Sequence, residues 1–96
     1  MLNTENIKSV LKENEPNLKA NYPIKSLAIF GSYARGAQNT NSDIDLLVEF
    51  NGPIGLRFVN LADEFEKILH KKVDLICRNG LPEKFWSNIK NELVYV

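Results

Sequence analysis

Two apolar runs, residues 26–30 (SLAIF) and 43–50 (DIDLLVEF), sit close together and are separated only by the polar segment GSYARGAQNTNS. Each run is too short for a buried helix and rich in branched or aromatic residues, so both read as strands. Gly31 closes the first run, and Asn, Thr, Ser and Gly dominate the approach to the second. The chain must therefore build a small sheet in which two strands are linked by a glycine-initiated turn. The other segments have to pack around that pair.

Those segments have their own periodicities. Ile7, Val10, Leu11 and Leu18 fall at helical spacings, with Asn3 or Thr4 as the cap and Pro16 as a break or restart. SYAR is long enough for one helical turn. Leu56, Val59, Ala62, Phe65 and Leu69, with Phe58 and Leu61 alongside, make the strongest amphipathic helix of the chain. KVDLIC (72–77) reads as a third strand, and Pro82 fits the first position of a last helix that carries Phe85, Ile89 and Leu93 inward. The order helix, strand, turn, strand, helix, strand, helix is that of an α/β or α+β domain with helices packed on a small sheet. Periodicity leaves the strand directions open.

Composition narrows the class. At 96 residues, 44% of them hydrophobic and 25% charged, the chain is expected to be one globular domain over residues 1–96. Twelve Lys/Arg balance twelve Asp/Glu, so no net field recruits nucleic acid or a membrane surface. The lone Cys77 has no disulfide partner, the N-terminus has no apolar signal core, and no apolar run reaches 18 residues. A cytoplasmic location is expected.

The second strand carries the chemistry. Strand side chains alternate, so Ile44, Leu46, Val48 and Phe50 share one face and Asp43, Asp45, Leu47 and Glu49 the other. Two neighbouring carboxylates repel unless a cation or water lies between them. An oxygen donor set that leaves room for phosphates suits Mg²⁺, while a solvated strand entrance would also produce the pair. Asp74, inside an apolar strand, is costly to bury without a partner. It reads as a third metal ligand, or as half of an ion pair with Arg35, Arg57 or a lysine.

Gly31 and Gly36 frame four residues as in a phosphate loop, but Ala37 and Gln38 stand where that loop needs Lys and Ser/Thr. The glycine lets a ligand approach the backbone, and a helical turn opened by Ser32 offers free N–H groups to an anion. An ordinary strand-to-helix turn with a serine cap has the same sequence. If a triphosphate does lie there, its metal must be held by Asp43 and Asp45 rather than by the loop.

Gly31-Ser32, ten intervening residues and then Asp43-Ile44-Asp45 resemble the signature of DNA polymerase β-like nucleotidyltransferases. FGSYARG followed by SDIDLLVEF is similar in particular to the minimal nucleotidyltransferases. The resemblance implies that fold, with a small mixed sheet, and implies that Gly31 and Ser32 bind the triphosphate of ATP. It implies Mg²⁺ on Asp43 and Asp45, with Asp74 completing the catalytic and metal-binding set. It also implies a partner, since such proteins pair with HEPN-domain RNase toxins and act as antitoxins by moving AMP from ATP to a toxin tyrosine. A non-catalytic antitoxin that acts by occlusion, or nucleotide transfer to a small molecule, are the alternatives.

Arg35 is equally suited to the triphosphate and to holding the loop before Asp43. Tyr33 is expected to face solvent rather than stack on a base, and His70 to complement the end of its helix. Cys77 is expected in the core, and Trp86 in packing or a partner contact.

Overall fold

The computed structural model describes residues 2–96. Helix α1 (Thr4–Asn21) leads into strand β1 (Ile24–Phe30), the short helix α2 (Gly31–Arg35) and strand β2 (Ile44–Phe50). Helix α3 (Arg57–Leu69), strand β3 (Val73–Cys77), helix α4 (Glu83–Ile89) and a two-residue strand β4 (Val94–Tyr95) follow. The sheet order is β3-β2-β1-β4, with β2 and β3 parallel and the other two pairs antiparallel. The mixed sheet is as expected, and the directions follow from the connections. The turn after β1 returns the chain beside it, whereas α3 carries it across a sheet face so that β3 runs with β2.

The two faces of the sheet are covered unequally. Ile44, Leu46, Val48 and Phe50 point into the main core with Ile29, Val73 and Leu75, under Ile7, Leu11 and Leu18 of α1 and Leu61, Phe65 and Leu69 of α3. On the other face Phe30 and Leu47 meet Ile89 of α4 in a smaller cluster. That thinner cover leaves room for polar side chains, and Asp45 and Asp74 project from this face.

Several sequence expectations are corrected here. Pro16 neither breaks nor restarts α1, which is continuous through it from an N-cap at Asn3. The ring removes one helical hydrogen bond on an exposed stretch, which the flanking turns and the buried Leu11 and Leu18 tolerate. In α3 the inward stripe is Leu61, Phe65 and Leu69, while Leu56 is 92% and Val59 60% exposed. Leu56 precedes the helix, and Val59 falls on its solvent side. Phe85 points only partly inward, meeting Phe30 edge-on at 6.4 Å between ring centroids. Pro82 is the N-cap of α4 rather than its first residue. Helix α4 ends before Leu93, where the chain turns and adds β4 to the edge of β1, a strand that periodicity over two residues does not reveal. His70 caps α3 in the left-handed region at φ 54°.

Replacing Pro16 by alanine restores a backbone hydrogen bond but loosens the unfolded chain. Pro16→Ala is expected to stabilise the fold by about 1–2 kcal/mol, read from the midpoint of urea unfolding at unchanged slope.

Candidate active site

The site forms where β1 ends. Phe30, the last residue of β1, stands opposite Asp45 in the antiparallel ladder, and Asp45 stands beside Asp74 in the parallel one. The two carboxylates therefore occupy neighbouring strands on one face, at the spacing of a sheet, about 4.8 Å. Asp43 lies just before β2, not within it, and joins them from the incoming loop.

Gly31 opens α2 at φ +74°, a backbone conformation that favours glycine. A β-carbon there would collide with Oδ2 of Asp45 and lie 3.0 Å from its Cγ. The glycine thus has two causes, its dihedral and the carboxylate packed against it. The turn is tied down from both ends. The Thr4 hydroxyl donates to the Tyr33 carbonyl, and the Ala37 N–H bonds the Ser32 carbonyl at 2.9 Å. Ser32 makes no capping bond, so the ordinary serine-capped turn is not what the sequence encodes here.

Electrostatics single out Asp45. Burial pushes its carboxyl above the ordinary 3.8, the Asp74 and then Asp43 charges raise it further, and Arg35 partly offsets them. Among the described residues, no lysine, arginine or histidine lies within ion-pair distance of Asp43, Asp45 or Asp74. The expected alternative for Asp74, an ion pair with Arg35, Arg57 or a lysine, is therefore not formed. Asp74 is also exposed, so the burial cost anticipated for it does not arise. Its strand lies at the edge of the sheet. What is left unbalanced is a concentration of negative charge.

The donor set suits a hard divalent cation, being all oxygen and, among the described residues, without a cation in ion-pair contact. Among the described residues no three acidic, histidine or cysteine side chains converge tightly enough to hold an ion by themselves. Any such ion would have to complete its shell with ligand or water oxygens, as Mg²⁺ commonly does.

Among the described residues, Arg35 makes no bond to the loop before Asp43, the second of the roles expected of it. Its Nη1 pairs with Oε2 of Glu92 at 2.7 Å, tying α2 to the turn between α4 and β4. Glu92 was not visible as a site residue, because nothing in local sequence links it to a position 57 residues earlier. Tyr33 is 1% exposed and belongs to the main core, contrary to the solvent-facing role expected. Burial and the Asp43 charge raise its phenol. Trp86 packs as anticipated and carries the Arg78 guanidinium 4.0 Å above its ring. Cys77 is half-buried and free, its side chain packed against the main core.

A sequence profile described as a nucleotidyltransferase domain matches residues 6–96. The chain belongs to the nucleotidyltransferase domain family. A relative in Methanocaldococcus jannaschii is 53% identical over 76 residues, covering 78% of this chain and 88% of that protein. The protein adenylyltransferase MntA of Thermococcus cleftensis is 34% identical over 97 residues, covering 100% of this chain and 98% of the other. A chain in a crystal structure of a toxin-antitoxin with AMP-PNP superposes with a TM-score of 0.71 at 25% identity, over 98% of this chain and 72% of that one. The architecture is that of a DNA polymerase β-like nucleotidyltransferase, as its motif implied.

The raised carboxyl of Asp45 has a consequence for stability. The folded nucleotidyltransferase holds this proton more tightly than the unfolded chain, so the contribution is full below pH 3.8 and is lost as pH rises through the elevated folded value. At pH 7 in EDTA, Asp45→Asn should melt higher than the parent by on the order of 1–4 °C, the gap closing toward pH 3. Calorimetric scans across pH measure it, and a variant less stable than the parent at pH 7 contradicts the charge argument.

Proposed function

We propose that residues 1–96 form one minimal nucleotidyltransferase domain that moves AMP from ATP to a tyrosine hydroxyl of a HEPN-type RNase toxin. The domain would thereby serve as the toxin's antitoxin, with Mg²⁺ as its metal. Family membership supports nucleotidyl transfer, and the relative named MntA supports a protein acceptor. The toxin-antitoxin neighbour bound to AMP-PNP supports both the partner and the nucleotide. The observation that carries the reading is the register of the site, with Asp45 abreast of Asp74 and packed on Gly31.

In this reading the backbone of Gly31 and Ser32 receives the triphosphate, because the first N–H groups of a helical turn have no partner within it. Asp43 and Asp45 would hold Mg²⁺, and Asp74 would hold a second ion or take the acceptor proton. An ion held there would supply positive charge against the charge that develops on the transferring phosphoryl group. The phenolic oxygen attacks the α-phosphorus in line, its bond to phosphorus forming as the bond to pyrophosphate breaks. The phenol proton passes to Asp74, whose side chain is exposed and open to an incoming hydroxyl. Tyrosine suits this chemistry because its reference pKa near 10 makes it far easier to deprotonate than serine.

Net charge zero offers nothing to attract RNA, and no described helix is long and apolar enough to cross a membrane. The free Cys77 fits a reducing cytoplasm.

Co-expression of the toxin with the parent or with Asp45→Asn, followed by mass spectrometry, tests the acceptor. AMP on a toxin tyrosine is expected with the parent only. A toxin silenced equally by both proteins and left unmodified would establish an occluding antitoxin instead.

Asp74→Asn separates chemistry from binding. The single-turnover rate should fall by about 10²–10⁴-fold while MgATP affinity changes by less than roughly threefold. Collapse of affinity with an intact rate at saturation would make Asp74 a binding ligand.

A further inference from the structure

Among the described residues, the Arg35–Glu92 pair is the one ion pair that reaches the active-site turn from outside it. Arg35 is the last residue of α2, four positions after Gly31, and is the only cation in that helix. Glu92 lies in the turn between α4 and β4, and its position is fixed on both sides. Its N–H bonds the Ile89 carbonyl at 3.0 Å, and Ile89 is buried against Phe30 and Leu47. Two residues on, Val94 and Tyr95 pair with Ile29 and Ala28 of β1. The Glu92 side chain is 20% exposed and that of Arg35 56%. The carboxylate is therefore the anchored partner and the guanidinium the one free to leave.

We infer that Glu92 competes with the nucleotide's phosphates for Arg35, so that nucleotide binding has to displace a built-in carboxylate. The inference rests on the nucleotidyltransferase reading above. A guanidinium binds phosphate in the same forked geometry as it binds a carboxylate, and it cannot serve both fully. Glu92 is also a fourth acid in a neighbourhood already crowded by Asp43, Asp45 and Asp74, and it adds to the negative charge felt at Asp45. A ligand with several phosphate charges, partly neutralised by its metal, can draw Arg35 across. One with few charges cannot. The exchange also ties occupancy of the phosphate turn to the α4–β4 segment, which loses its ion pair when nucleotide arrives.

The test is calorimetric titration of the full chain with AMP-PNP in Mg²⁺. Glu92→Gln should bind about 3–10-fold more tightly than the parent, and Arg35→Gln more weakly. The double variant should bind like Arg35→Gln alone, because Glu92 acts through Arg35. Unchanged or weaker binding by Glu92→Gln, with only a lower melting temperature, would make the pair a structural tie and overturn the inference. A gain that persists in the double variant would overturn it too, by showing simple charge repulsion. Should Glu92→Gln not fold, Glu92→Asp withdraws the carboxylate by one methylene and is expected to shift affinity in the same direction by a smaller factor. Absence of binding by the parent and every folded variant would refute the nucleotide reading itself, an outcome distinct from the others.

Discussion

The arrangement turns on the contact between Gly31 and Asp45. Because Phe30 and Asp45 are opposed in the ladder, the first residue after β1 falls directly against the carboxylate. Only a residue without Cβ, in a left-handed conformation, can stand there. That single absence lets α2 begin directly at the end of β1, beside the acids, instead of after a longer loop. Everything nearby then has a defined place. Tyr33 drops into the main core, Arg35 emerges toward the α4–β4 turn, and the loop to Asp43 starts from a closed helical end.

The same contact works against stability. Packing an anion onto a backbone turn, with two further carboxylates close by and, among the described residues, no cation in ion-pair range, favours the protonated form of Asp45. Such a cluster is strained in isolation and relieved by a cation, which is the usual balance at a site arranged for charge chemistry. The rest of the domain compensates with apolar packing. Beneath the β2 face opposite the acids, Ile44, Leu46 and Val48 are wholly buried, and Phe65 and Leu61 close over them from α3. The site is built on a strand whose other side is buried in the main core, so its acids are displayed on a firmly packed support.

Much of this was legible in local pattern. The alternation in DIDLLVEF separates core from site residues, and Ile44 to Phe50 follow it without exception on the core face. The pairing of Asp74 with the site was inferable from an acid placed mid-strand, although the reason differs, since Asp74 is exposed at the sheet edge rather than buried. Tyr33 was misread because a five-residue helix has too few positions to show a periodicity, so its inward face is settled only by what lies beneath it. Asn79 was missed for a related reason. Its side chain bonds both the N–H and the carbonyl of Phe50, at 2.9 and 3.2 Å, across 29 residues of sequence.

By itself, the sequence determined the longer elements and the chemistry on offer: three carboxylates on strand-like patterns, a glycine-serine turn at a set distance from two of them, and an apolar face for each of the two long helices. These are properties of short stretches, governed by backbone dihedrals and side-chain period. Only the tertiary structure decided that β3 runs parallel to β2, so that Asp74 comes abreast of Asp45, and that β4 folds back to deliver Glu92 to Arg35. Register and ion pairing between distant segments depend on how whole layers pack, and packing energy is shared among residues that no local window contains together.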